Sequence, residues 1–202
     1  MAYRRTPMVQ ARLDAQRVAI LTAAGALLAE RGYAGCGMTA VAARAGVAAG
    51  TVYKQFPSKS DLAAELFRSI VTREVAAVRA AVNHTASAVE VTTAVIETFA
   101  GRALKQPRRA YALLAEPVDP GVDELRLEFR CAFRDVIADA IALGVQTGEL
   151  PPQNAAIVAA ALVGAIGEAL VGPLAGSEHP DTVPTLIQFA HRAIGGQHHA
   201  DT

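Results

Sequence analysis

The sequence predicts an all-α protein of about nine helices. Three observations carry that reading. Alanine is the commonest residue, 44 of 202, and it is the best helix former and a poor strand former. Aromatic residues are 5% and tryptophan is absent, which argues against β-sandwiches and barrels. Apolar residues recur at helical spacing between glycine and proline breaks. A hydrophobic share of 52% excludes a disordered chain, and 202 residues can bury a sizeable core.

The elements follow in order. Residues 1–11 read as a flexible arm carrying Arg4, Arg5 and Pro7. Ile20, Ala24, Leu27 and Leu28 mark one face of a helix over about 13–31, and Gly32 suits its stop. A short helix is expected over 38–45 with Val41, Ala42 and Ala45 inward, ended by Gly46. A two-turn helix follows over 49–56 with Val52 and Phe56 inward, and Pro57 breaks it. Ser58 is the expected N-cap of a helix over 59–82, with Asp61 at its third position in capping-box style. Further helices are expected at about 87–104, 107–115, 121–147, 153–175 and 182–195, parted by prolines and glycines.

The zero net charge hides an asymmetry. Residues 1–60 carry eight cations against Asp14 and Glu30, a net +6, and residues 61–202 carry the compensating −6. A basic segment on an acidic body suits a polyanion-binding module joined to one that does not bind polyanions. Two cysteines, Cys36 and Cys131, cannot staple a fold of this size and suggest a reducing compartment. No apolar signal segment follows Met1, so a cytoplasmic protein is expected. Residues 155–175 are nearly all apolar and long enough to span a bilayer. They are mostly Ala and Gly, include Glu168 and Pro173, and lack a basic flank. A helix buried on most sides, inside the protein or between subunits, is expected there, with no membrane partner.

Two short helices separated by Gly46-Val47, after a long one, describe a helix-turn-helix module. Its second short helix would enter the DNA major groove. Ala49, Gly50, Thr51, Tyr53, Lys54 and Gln55 are the exposed candidates. Thr51 and Tyr53 can hydrogen-bond phosphate, Gln55 can pair with adenine, and Lys54 can reach phosphate or guanine. Lys59, at the next helix N-terminus, suits a phosphate. Arg4 and Arg5 of the arm and Thr39 and Arg44 of the first short helix are further DNA-contact candidates, Arg44 alternatively a solvated side chain.

The run Arg31-Gly32-Tyr33, Val41-Ala42, Ala45-Gly46-Val47, Gly50-Thr51-Val52-Tyr53 and Phe56-Pro57-Ser58-Lys59 resembles the TetR/AcrR family of bacterial transcription regulators. The match covers about Ile20 to Leu66. It implies a DNA-binding domain over 1–60 and a ligand-binding and dimerisation domain over 61–202. Departures are Ala48 and Ala49, where the family often has Ser and then Lys or Pro, and Gly37, where Thr or Ser is usual. Two caps and a phosphate contact are therefore missing.

The resemblance implies a homodimer that binds a near-palindromic double-stranded operator and is released by a small-molecule effector. It also implies a four-helix subunit interface made by the last two helices of each subunit. Ala160, Gly164 and Gly167 would allow close approach there, with Leu186, Ile187, Ala190 and Ile194 beside them. The candidate pocket lining is Phe67, Phe99, Tyr111, Phe129, Phe133 and Leu162, for an apolar or aromatic effector. Arg126, Arg130 and Arg134, four apart on one stripe, either meet an anionic effector or are solvated or paired with carboxylates such as Asp119 and Asp123.

No nucleophile elbow, HExxH or Walker A run is present, and Gly35-x-Gly37-x-x-Ala40 follows a helix rather than the strand a dinucleotide site requires. No enzyme, catalytic residue, metal site or cofactor is expected. The alternative reading is a helical small-molecule-binding protein whose DNA-binding module is vestigial, a reading that Ala48 and Ala49 keep open.

Overall fold

Proline opens the first helix rather than blocking it. Pro7 holds the first position of α1 (Pro7–Arg31), where its fixed φ is already helical and no N–H is needed. The expected arm therefore ends before residue 7. The computed structural model describes residues 7–82, 86–177 and 180–195, so Arg4 and Arg5 lie outside the described residues. Among those residues there are nine helices and no strand.

Gly32 ends α1 at φ +70. The helix α2 (Met38–Ala45) follows, and its backbone turns through Gly46 at φ +66. This left-handed conformation is one that glycine adopts without steric cost. The turn delivers α3 (Ala49–Gln55), whose N-cap Ala48 makes no side-chain hydrogen bond, like Gly37 before α2. Ser58 caps α4 (Lys59–Ala81) as expected: its hydroxyl accepts from the Asp61 N–H at 3.1 Å and donates to the Asp61 carboxylate at 2.7 Å.

The body comprises α5 (Ala88–Lys105), α6 (Pro107–Leu114), α7 (Pro120–Thr147), α8 (Ala155–Leu174) and α9 (Thr182–Ile194). A full capping box, Ser87 with Glu90, starts α5. The Glu149 carboxylate accepts from the next two amides, Ala88 and Val89, and so ties the end of α7 to the start of α5. Two apolar cores result. The first holds Ile20, Leu28, Val41, Val52, Phe56 and Phe67 and also takes in Ala112, Val122 and Leu125 from the body. The second gathers Val78, Ile96, Ile137, Ile141, Leu162 and Leu170 with the inner face of α9.

Three interface expectations change here. Leu186, Ala190 and Ile194 are buried in the second core of their own chain and cannot face a partner. The cause is the single apolar stripe of α9, which packs on α5 and α8. Ile187 is half-buried against the same core, and the exposed apolar side chain of α9 is Phe189. Helix α8 buries one stripe, Ala159, Leu162, Ile166, Leu170 and Leu174, rather than most of its surface. It is long and apolar enough to cross a membrane, yet only 22% of its most apolar stretch is buried in the chain. Ala160 and Gly164 lie on its exposed face beside Ile157.

Close packing of α7 on α5 depends on Gly144. A Cβ there would sit 3.0 Å from Leu150 and 3.1 Å from Ala88. Gly144→Val is expected to lower stability by about 1–3 kcal/mol through overpacking, read as a shift in the urea midpoint with an unchanged slope.

Candidate functional site

The recognition element is held from behind by α1. Arg17 donates to the Gln55 carbonyl at 3.2 Å, at the C-terminal end of α3. Its guanidinium lies 4.4 Å from the centre of the Phe56 ring and pairs with Glu65 at 3.4 Å. A seven-residue helix is marginal alone; this clamp, with Val52 and Phe56 buried beneath it, fixes α3.

Apart from Arg4 and Arg5, which lie outside the described residues, each candidate DNA contact has a place. Thr39, Gly50, Tyr53 and Lys54 are exposed, and Ala49 and Thr51 are half-exposed. Three side chains are turned to other work. The Gln55 amide donates to the Leu13 carbonyl at 3.4 Å, back toward α1. Arg44 forks onto Glu30 at 2.6 and 2.7 Å, and this pairing holds the Glu30 carboxyl below its ordinary range. The Lys59 ammonium lies 4.1 Å from the centre of the Tyr33 ring. The outward polar set of α3 is thus Thr51, Tyr53 and Lys54.

Behind this head the α1–α2 turn is latched to the body. The Glu116 carboxylate accepts from the Tyr33 N–H at 2.8 Å and the Ala34 N–H at 3.2 Å. The Tyr33 hydroxyl donates to Asp119 at 2.5 Å, and its ring meets Phe67 edge-on at 6.3 Å. Burial and the Asp119 carboxylate both raise the Tyr33 phenol above its ordinary value. Cys36, buried beside it, is pushed up to about 11, chiefly by burial.

Among the described residues the body holds a cavity of about 110 Å³, partly open to solvent. Phe67, Phe99, Phe129 and Phe133 line it, with the ring centres of Phe99 and Phe133 4.9 Å apart. Tyr111 and Leu162 do not; they pack into the second core. Gly167, expected at the subunit interface, is part of the cavity wall. Arg102, Arg109, Arg126 and Arg130 join Glu74 in the lining. Glu74 receives Arg102 and, at 3.5 Å, Arg109, and the Arg102 guanidinium is held in its charged form by that bond. Arg130 makes no ion pair or hydrogen bond among the described residues, whereas Arg134 pairs with Asp135.

Residues 20–66 match the sequence profile of the bacterial regulatory proteins of the tetR family. Residues 20–66 are thus a DNA-binding domain of the tetR type. The chain is a DNA-binding regulator and not an enzyme. Solved TetR-type structures share the fold over about nine-tenths of the chain. FadR from Bacillus subtilis in complex with stearoyl-CoA is 21% identical, at a TM-score of 0.76 over 90% of this chain and 99% of that one. A TetR regulator from Haloarcula marismortui is 19% identical, at 0.78 over 90% and 97%. A TetR-family protein from Vibrio parahaemolyticus is 25% identical, at 0.67 over 90% and 100%. A search of curated proteins found no match.

In this chain the arginine lining had only a partial signal in the sequence, the 126-130-134 stripe. Arg102, Arg109 and Glu74 come from three different helices, and only the packing of α4, α5 and α6 brings them together.

Gly32 tests the latch. Its φ of +70 disfavours a side chain, and an added Cβ would lie 2.7 Å from the Glu116 carboxylate. Gly32→Ala is expected to cost about 1–3 kcal/mol in urea unfolding. A second test uses pH. Cys36 has an ordinary value of 9.0 and a folded value of about 11. The folded chain therefore holds this proton more tightly than the unfolded one. The resulting stability is complete below pH 9 and is lost as pH rises through about 11. Tyr33 adds a similar loss above its ordinary 10.0. Cys36→Ala is expected to flatten the decline between pH 9 and 10, measured as urea midpoints against pH.

Proposed function

We propose that this regulator is a homodimeric repressor that leaves a near-palindromic operator when a small molecule fills the body cavity. One observation carries the reading: an outward polar face on a rigid α3 is joined, in one chain, to a deep apolar cavity with arginines in its wall. Residues 1–60 act as the reading head and 61–202 as the sensing and pairing body, although the head's core extends into the body. Thr39, Ala49, Gly50, Thr51, Tyr53 and Lys54 meet DNA. Arg44, Gln55 and Lys59 do so only by leaving the partners they hold in the free protein.

The cavity chemistry indicates an amphipathic effector. Four phenylalanines suit an apolar chain, and Arg102, Arg109, Arg126 and Arg130 suit an anionic head. FadR from Bacillus subtilis, similar in fold, was solved with stearoyl-CoA, a ligand of that chemistry. An acyl chain carrying an anionic group is our proposed effector class for this chain.

Pairing is proposed through the exposed face of α8, with Ile157, Ala160 and Gly164, and through Phe189 of α9. Two-fold pairing would present two copies of α3 to two half-sites. A repressor of this kind works in the cytoplasm, beside the chromosome.

Selection from random duplex DNA, followed by titration of the winning site against salt, tests the reading. The expected product is an inverted repeat whose affinity falls steeply with salt. Lys54→Ala should weaken binding and reduce the salt slope by about 1. Tyr53→Ala should weaken it further, while Gln55→Ala leaves the preferred sequence unchanged. Recovery of no enriched site would favour the alternative, a small-molecule-binding protein with a vestigial head, which the bare positions Ala48 and Ala49 keep in view.

A further inference from the structure

Arg126 belongs to two structures at once. It lines the cavity, and its guanidinium also closes the C-terminal end of α6. Its N–H groups donate to the carbonyls of Leu113 at 2.8 Å, Ala112 at 2.8 Å and Glu116 at 2.6 Å, and to the Asp123 carboxylate at 2.9 Å. The side chain is only 14% exposed, so these are sheltered, charge-assisted bonds. The turn it holds, residues 115–119, carries Glu116 and Asp119. These two carboxylates grip Tyr33 and Ala34 of the head.

We propose that Arg126 is the residue through which occupancy of the cavity reaches the DNA-binding head. This rests on the proposed effector reading. An anionic or strongly polar group entering the cavity competes for the guanidinium. Every bond it takes is one lost by the carbonyls of Ala112, Leu113 or Glu116. The freed turn relaxes, the Glu116 and Asp119 carboxylates shift, and Tyr33 loses its anchor. Lys59, which rests on the Tyr33 ring, loses that seat with it. Arg126 acts here as a positioning residue and touches no DNA. Arg130, one turn on and without a partner among the described residues, can take ligand charge without disturbing the turn, so the coupling is assigned to Arg126 and not to the arginines collectively.

Hydrogen–deuterium exchange on the full chain, with stearoyl-CoA as the probe, decides the matter. In the wild type the probe should slow exchange at 95–103 and speed it at 112–119 and 32–36. Arg126→Gln, without probe, should already show faster exchange at both 112–119 and 32–36, by about tenfold. Exchange in α8 and α9 should be unchanged, which separates the effect from global unfolding. Adding probe to the variant should still protect 95–103 but change 32–36 no further. If Arg126→Gln does not fold, Arg126→Lys keeps the charge but cannot span three carbonyls, and should show the same pattern at smaller amplitude. Faster exchange at 112–119 with 32–36 unchanged in either variant overturns the relay, whether or not the probe binds. Absence of protection at 95–103 in the wild type overturns the effector reading instead, and the variant still decides the relay.

Discussion

Tyr33 is where the head and the body become one object. Its N–H, hydroxyl and ring are each engaged by a different element: Glu116 before α7, Asp119 at the start of α7, and Phe67 of α4. The head needs this junction for a simple reason. Three helices and about 60 residues bury so small a share of their surface that they are only marginally stable on their own. Here the head borrows Ala112, Val122 and Leu125, and the first half of α4 serves as a fourth wall. The borrowing has a mechanical consequence. A head that shares its core with the body cannot reorient without disturbing α6 and α7, and those helices line the cavity. A change in α6 or α7 is therefore felt in the head's own core.

The same sharing explains why the recognition helix tolerates poor ends. Ala48 offers no side-chain cap, and an absent cap removes about 1 kcal/mol. Arg17 compensates at the other end by holding the Gln55 carbonyl and stacking on Phe56. A long α1 thus supplies what α3 lacks, and α3 keeps Thr51, Tyr53 and Lys54 free on its outer face. Gln55 is used up by this arrangement, because its amide returns to Leu13.

Features decided by local chemistry were legible in the sequence. The Gly32 and Gly46 stops, the Ser58 cap and the nine helices depend on neighbours within a turn or two, so spacing and residue type suffice. Four of the six proposed cavity residues line the cavity because large aromatics in a helical bundle cluster around its interior. Tyr111 and Leu162 do not, since the rotation of α6 and α8 about their axes is set by packing and not by periodicity alone. The same limit misplaced Leu186, Ala190 and Ile194: one apolar stripe reads alike whether its partner is a second subunit or α5 of the same chain. Pairings such as Arg44 with Glu30 or Tyr33 with Glu116 span 14 and 83 positions, and no local pattern announces them.

The position of α8 draws these threads together. Its inner side, through Val163, Ile166 and Gly167, is a wall of the cavity. Its outer side carries Ile157, Ala160 and Gly164, exposed in the single chain. Water-facing apolar surface of that extent is stabilised when covered, and a second copy of α8 is the occupant that the proposed dimer supplies. In that arrangement one helix is both a wall of the proposed effector site and the axis of the proposed dimer, while Arg126 on α7 joins the cavity to the turn that carries the latch. Pairing through small residues leaves little room for α8 to yield. In the proposed dimer, movement on filling the cavity is therefore expected toward α6, the 115–119 turn and the reading head.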